Sequence, residues 1–258
     1  MTEIFYIINV ISKITIIIGI LLLFILICRR YLDAIYEHVD GLLNDDNLNK
    51  LGIPHIHKDR RLYHIIKRII DLLCSSLFLV INLPLMLFIA ILIKAESRGP
   101  IFIKQKRLGK RGKVFYAYKF RTMTFFPQEE KLLKEIKLNI KINDDPRITV
   151  VGKFLRKTSL DEFPKFLSVL KGDMSLIGTS EATDYSYIEG LGNEAANAIL
   201  SVKPGLVSLW SLSGSRMRWD LSYRLAYDVY YVSHQSFILD LSILLMTPIS
   251  VLGRASSA

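Results

Sequence analysis

The chain has 258 residues, enough for one domain with a full hydrophobic core. Its hydrophobic share is 51%, and 34 basic against 24 acidic residues give a formal charge of +10, a pairing that points to a membrane carrying anionic lipids or substrates. Nucleic acid is a weaker partner, since no recognition helix or aromatic RNA-binding motif is present, and two cysteines in apolar segments, Cys28 and Cys74, exclude a disulfide framework and a cysteine metal cluster.

Ile4 to Cys28 is nearly all apolar and is followed at once by Arg29-Arg30. The run is long enough to span a bilayer, which takes about 20 residues, and Lys13 can snorkel. No small-residue cleavage site follows, so residues 1–30 read as a retained anchor with its C-terminal end in the cytoplasm. Residues 31–60 read as a polar connector. His55 and His57 within it lack further metal ligands nearby and read as part of a solvated loop.

A second apolar run, Ile69 to Ile93, is interrupted by Asn82-Leu83-Pro84 and flanked on both sides by Lys and Arg. A full crossing would place one basic cluster outside, against the positive-inside rule. A re-entrant helix over 65–95, broken at Asn82 and Pro84, satisfies both the charges and the proline. Its freed backbone groups need cover, for which Ser75, Ser76 and Asn82 are available. A proline-kinked spanning helix is the alternative.

From Arg98 to Arg121 there are nine basic residues and no acidic one. The stretch reads as a β-hairpin turning at Gly109-Lys110-Arg111-Gly112. Strand alternation puts Ala117, Lys119 and Arg121 on one face, a candidate diphosphate clamp; a solvated basic face is the plainer outcome. Pro127 opens an amphipathic helix carrying Leu132, Leu133, Ile136 and Ile140, which ends at Asp144-Asp145-Pro146-Arg147.

Lys157-Thr158-Ser159-Leu160-Asp161-Glu162-Phe163-Pro164 then sets two adjacent carboxylates before a proline. By themselves they read as a helix start, with Ser159 and Glu162 spaced as a capping box. Farther on, Trp210, Trp219 and Tyr223–Tyr231 supply aromatics suited to a bilayer interface. Phe237 to Leu252, interrupted by Asp240 and Pro248, fits either the membrane surface or the core.

The ordered set Gly99-Pro100-Ile101-Phe102, Gln105, Arg107, Gly109, Lys119-Phe120-Arg121-Thr122-Met123, Asp145-Pro146-Arg147-Ile148-Thr149, Leu155-Arg156-Lys157-Thr158-Ser159-Leu160-Asp161-Glu162 and Gly172-Asp173-Met174-Ser175-Leu176-Ile177-Gly178 resembles the bacterial sugar transferases, monotopic polyprenol-phosphate phosphoglycosyltransferases. The resemblance covers about Lys67 to Leu252. Together with the N-terminal transmembrane helix read above, it implies a membrane-embedded, mostly helical α+β protein with a re-entrant helix and interfacial helices. A catalytic domain over 61–258, with a small hairpin, would lie on the cytoplasmic face of the bacterial inner membrane.

The activity implied is transfer of a sugar 1-phosphate from a UDP-sugar to undecaprenyl phosphate, releasing UMP and initiating surface polysaccharide or glycoconjugate assembly. Asp161 is then the nucleophile, and Glu162 orients it or shares Mg²⁺ with it. Arg107, Lys119, Arg121, Arg147 and Arg156 are the expected substrate contacts. Membrane lipid is an expected partner, and self-association is left open. Where the family carries Pro-Arg-Pro after Gly178, this chain has Thr179-Ser180-Glu181; Ser213-Gly214-Ser215-Arg216 also departs from the family's Ser-Gly-Arg. Those departures raise the alternative of a non-catalytic relative that binds polyprenyl phosphate or scaffolds glycan assembly.

Overall fold

A computed structural model describes residues 2–44, 60–124, 145, 147–182, 193–213 and 221–257. The expected helix at Pro127, His55, His57, Trp219 and the 214–216 segment lie outside them. The described residues are mostly helical, with two small sheets. Helix α1, Thr2–Asn44, and helix α2, Arg61–Glu96, are both long and apolar enough to cross a membrane.

α1 does not stop at Arg30. It continues to Asn44, so the part of the expected connector from 31 to 44 is helix. Cys28, Leu32, Ile35 and Val39 recur at helical spacing and are buried, which explains the continuation: that face closes the main core. Upstream, residues from Ile14 to Ile27 are almost all exposed.

α2 runs through Pro84 as one helix. Asp71, Ser75, Phe78, Asn82, Met86, Ile89 and Ile93 form a seam at three- and four-residue spacing that is buried or half-buried along the domain. The opposite side exposes Leu73, Leu77, Val80, Leu87 and Ile91. Asn82 Nδ2 donates to the Phe78 carbonyl at 2.9 Å, a local side-chain bond within the turn before the proline.

Strands β1, Phe102–Leu108, and β2, Val114–Phe120, pair antiparallel with Leu108 opposite Val114 and Ile103 opposite Lys119. Helix α3, Val150–Thr158, begins at Thr149, whose side chain accepts from Gly152 N–H. A 3-10 turn, Leu160–Lys165, follows, then helix α4, Phe166–Lys171. Strand β3, Ser175–Ile177, pairs in parallel with β4, Gly205–Val207. Between them lies helix α5, Asn193–Leu200; after them come α6, Leu209–Leu212, α7, Leu221–Ser233, and α8, Phe237–Ser257.

The main core joins α1, β2, β3, α7 and α8 through Phe115, Ile177, Tyr227, Tyr231 and Ile243. α8 therefore takes the core option: Leu239, Ile243 and Met246 are buried, and Asp240 accepts from Tyr63, Lys67 and Tyr231. A second cluster packs Met86, Ile89 and Ile93 of α2 on Phe120 and Leu155. It seats the membrane-length helix directly under the segment carrying Asp161.

Candidate active site

The chain reverses at Ser159, which takes a left-handed conformation (φ 57°) between α3 and the 3-10 turn. The expected capping box does not form. Ser159 makes no side-chain cap bond, and Glu162 N–H donates to the Ser159 carbonyl at 3.2 Å. The Glu162 side chain turns instead toward two lysines. Lys119 Nζ lies 2.8 Å from Glu162 Oε1 and 3.8 Å from Asp161 Oδ2, while Lys165 Nζ lies 3.5 Å from Glu162 Oε1.

These charges drive the two carboxyls apart. Burial would raise Glu162, but Lys165 and Lys119 outweigh it and hold the group at about 2. Burial raises Asp161 above the ordinary aspartate value, and Lys119 only partly opposes that. Asp161 sits half-buried in a 3-10 turn and not at the start of an α-helix, where the sequence reading put it. Burial of Lys119 would lower its ammonium, yet Glu162 and Asp161 beside it keep it raised and protonated.

Sequence reasoning missed Lys165. It is 3% exposed, pairs with Glu162 and is also bonded by Glu181, which accepts from Arg107 Nε at 3.1 Å as well. Its three-residue spacing from Glu162 was the available signal. The loop that departs from Pro-Arg-Pro is firmly held: Ser180 N–H and its hydroxyl reach buried Asp228 at 2.8 and 3.1 Å.

The expected substrate contacts divide. Lys119 joins the carboxylates. Arg156 donates to Thr122 Oγ1 at 2.9 Å and is close enough to lower Asp161. Arg107 connects to Glu162 only through a chain of ion pairs, by way of Glu181 and Lys165. Arg121 is turned elsewhere: it is 3% exposed and donates to the carbonyls of Arg98 and Ser97, at 2.7 Å each, and of Ile93 at 3.3 Å. It closes the end of α2, so the proposed clamp loses that member. Arg147 is engaged locally by Asp145, at 2.6 Å between Nη2 and Oδ2.

Phe78 of α2 stacks on Phe166 at 3.8 Å and meets Phe163 edge-on at 4.7 Å. These rings help line a cleft of about 230 Å³ that reaches Glu162. No three metal-ligating side chains cluster among the described residues. Two adjacent carboxylates nonetheless suit Mg²⁺ of the kind held jointly by protein and substrate phosphates.

The family model described as bacterial sugar transferase matches residues 62–254. The chain is 39% identical to the exopolysaccharide production protein ExoY of Sinorhizobium fredii over 202 residues, covering 74% of this chain and 87% of that protein. It is 37% identical over 206 residues to the undecaprenyl-phosphate galactose phosphotransferase of Salmonella typhimurium, covering 76% of this chain. It is also 37% identical over 189 residues to the UDP-glucose:undecaprenyl-phosphate glucose-1-phosphate transferase of Klebsiella pneumoniae, covering 71% of this chain. The match spans 42% of the Salmonella protein and 39% of the Klebsiella one.

Proposed function

Because the chain belongs to the bacterial sugar transferase family, we propose that it transfers a sugar 1-phosphate from a UDP-sugar to undecaprenyl phosphate at a membrane. The carrying observation is the oppositely tuned pair, Asp161 raised and Glu162 lowered, beneath two ammonium groups. Adjacent groups whose environments separate their proton affinities divide labour in catalysis.

In this reading an Asp161 carboxylate oxygen attacks the sugar-bearing phosphorus. The new O–P bond forms as the bond to UMP breaks, and UMP departs with the electron pair. An oxygen of undecaprenyl phosphate then attacks the same phosphorus, displaces Asp161 and yields the diphosphate-linked sugar. Lys119 keeps its proton throughout and steadies charge on the phosphoryl oxygens. Glu162, held by Lys119 and Lys165, fixes the geometry of the turn. Asp161 and Glu162 would hold an Mg²⁺ bound with the diphosphate, and it would supply charge neutralisation at the leaving phosphate.

A monotopic arrangement fits the same picture. The α2 seam rests on the domain from Asp71 to Ile93, so a helix crossing the bilayer would have to carry that packing with it. With α2 bent at Pro84, its deepest point, both basic flanks would lie on the cytoplasmic side and the packing would stay intact. The phenylalanine-lined cleft gives an isoprenoid acceptor an apolar approach to Glu162.

The test is direct. Membranes containing the full chain are incubated with radiolabelled UDP-sugars and undecaprenyl phosphate, and the lipid is extracted. Label should enter the lipid with the wild-type chain and not with Asp161→Asn. Lipid binding without label transfer from any UDP-sugar would favour the non-catalytic reading prompted by Thr179-Ser180-Glu181.

A further inference from the structure

A basic cavity lies well away from the carboxylate pair. It measures about 490 Å³ and sits where the start of α2, the hairpin tip and the end of α5 meet, with Arg60, His64, Lys110 and Arg111 on its walls. A smaller cavity of about 160 Å³ shares His64 and Lys110 and adds Lys67, Arg68 and Lys203. Two rulers separate this region from the reaction centre. Along β2, Val114 to Lys119 is about 16 Å at strand rise. Along α2, His64 to Phe78 is about 21 Å at helical rise.

Some of the cations here have structural work. Arg60 donates to the Gln235 carbonyl, Arg68 to the carbonyls of Val169 and Leu170, and Lys67 to Asp240. Lys110, Arg111 and Lys203 make no side-chain hydrogen bond or ion pair with any described residue. Asp71, the acid on the smaller cavity's wall, is already accepting from Ser175 Oγ and Leu176 N–H. Burial and then Arg111 depress the Lys110 ammonium, and burial and then Arg68 depress Lys203 despite the opposing pull of Asp71 and Asp173. Arg111 also holds a left-handed backbone (φ 60°), an uncommon state for a long side chain and one that clusters at functional positions.

We propose that this cleft is a phosphate site for the headgroup of an anionic membrane lipid, separate from the Asp161 and Glu162 pair. The apolar surroundings favour a lipid over a soluble phosphate. Leu62 and Ile65, on the same turns of α2 as His64, are 70% and 57% exposed. Ile238, beside the Phe237 ring that packs on Tyr63, is 68% exposed. Acyl chains can lie on those residues while the headgroup phosphate meets the lysines and Arg111.

The test reads bound lipid rather than turnover, so it stands or falls independently of the transferase reading. The full chain is placed in nanodiscs of phosphatidylcholine doped with phosphatidylglycerol and released for native mass spectrometry. Wild type should retain phosphatidylglycerol, and the double variant Lys110→Ser, Arg111→Ser should retain roughly tenfold less or lower still. The charge-keeping swap Lys110→Arg, Arg111→Lys and the nearby control Lys113→Ser should both retain it, with thermal midpoints of all variants matching wild type. Equal retention by the double-serine variant overturns the proposal. So does displacement of the lipid by UDP or inorganic phosphate, or UDP binding in phosphatidylcholine-only discs that the double-serine variant abolishes.

Discussion

Lys119 Nζ stands 2.8 Å from Glu162 Oε1, so a rigid strand places its charge against a carboxylate on the turn opposite. Asp161, one residue earlier, receives that charge at 3.8 Å and remains raised. Lys119→Met removes one of the two lysines that oppose burial at both carboxyls. Turnover should fall on the order of 10²-fold, the scale of losing one preorganised charge contact. The acid limb of the pH–rate profile should move to higher pH, because Asp161 and Glu162 both become harder to ionise. Rate measurements across pH on both proteins check this, and an unmoved limb would remove Lys119 from the site.

Asp161→Asn should separate chemistry from stability. A folded-state value above the unfolded one means that the native protein binds the proton more tightly. Ionised Asp161 therefore costs stability at neutral pH, and that cost disappears as pH falls below the ordinary aspartate value. The asparagine variant should lose turnover yet melt no lower than wild type at pH 7, with wild type gaining relative to it on acidification. Thermal scans at several pH values, beside the lipid-transfer assay, give both readouts.

Arg121→Met should behave as a packing mutation. It strips donors from the carbonyls of Ser97 and Arg98, and one of two from Ile93, and leaving such groups unpaired costs about 1–3 kcal/mol each. The melting point should drop markedly while KM for the UDP-sugar in surviving enzyme stays near wild type. A raised KM at unchanged stability would restore Arg121 to the substrate site.

Gly152→Ala tests a close approach. A Cβ there would lie 2.0 Å from the Thr122 carbonyl oxygen, with backbone rather than a flexible side chain in the way. Overpacking of this kind costs about 1–3 kcal/mol, or more where backbone must move. Thermal denaturation should show a clear loss. Activity should fall with it, since Thr122 also holds Arg156.

Topology yields the last prediction. With Cys28 and Cys74 replaced, single cysteines at Arg61 and Arg98 should both resist a membrane-impermeant thiol reagent on intact cells. Labelling of the Arg98 position alone would mean that α2 crosses.

Much of this was legible in residue pattern. The two apolar runs gave both membrane-length helices, and glycines bracketing Lys110-Arg111 gave the hairpin turn between β1 and β2. Adjacent Asp161 and Glu162 drew attention to the right turn. What escaped depends on neighbours distant in sequence. Strand alternation put Arg121 beside Lys119 but could not reveal the helix end that captures it. Ser159 and Glu162 had capping spacing, yet Lys119, 43 residues away, took the glutamate instead. Polar residues after Arg30 suggested a connector because the buried stripe of Leu32, Ile35 and Val39 is narrow. Its partners lie near the other end of the chain, Tyr227 and Ile243 among them.

The α2 seam makes the protein its own depth gauge. Phe78 grips Phe163 and Phe166, one within and one just after the Glu162–Lys165 stretch, while the outward side of the same helix is apolar and exposed. In the proposed monotopic arrangement, the height of Asp161 relative to the acyl region is set by a helix register rather than by α1. A thicker or thinner bilayer would raise or lower the whole body together. An acceptor headgroup would meet a carboxylate at one fixed level, and a one-residue insertion in α2 before Phe78 would turn the seam by about 100° and lose that level altogether.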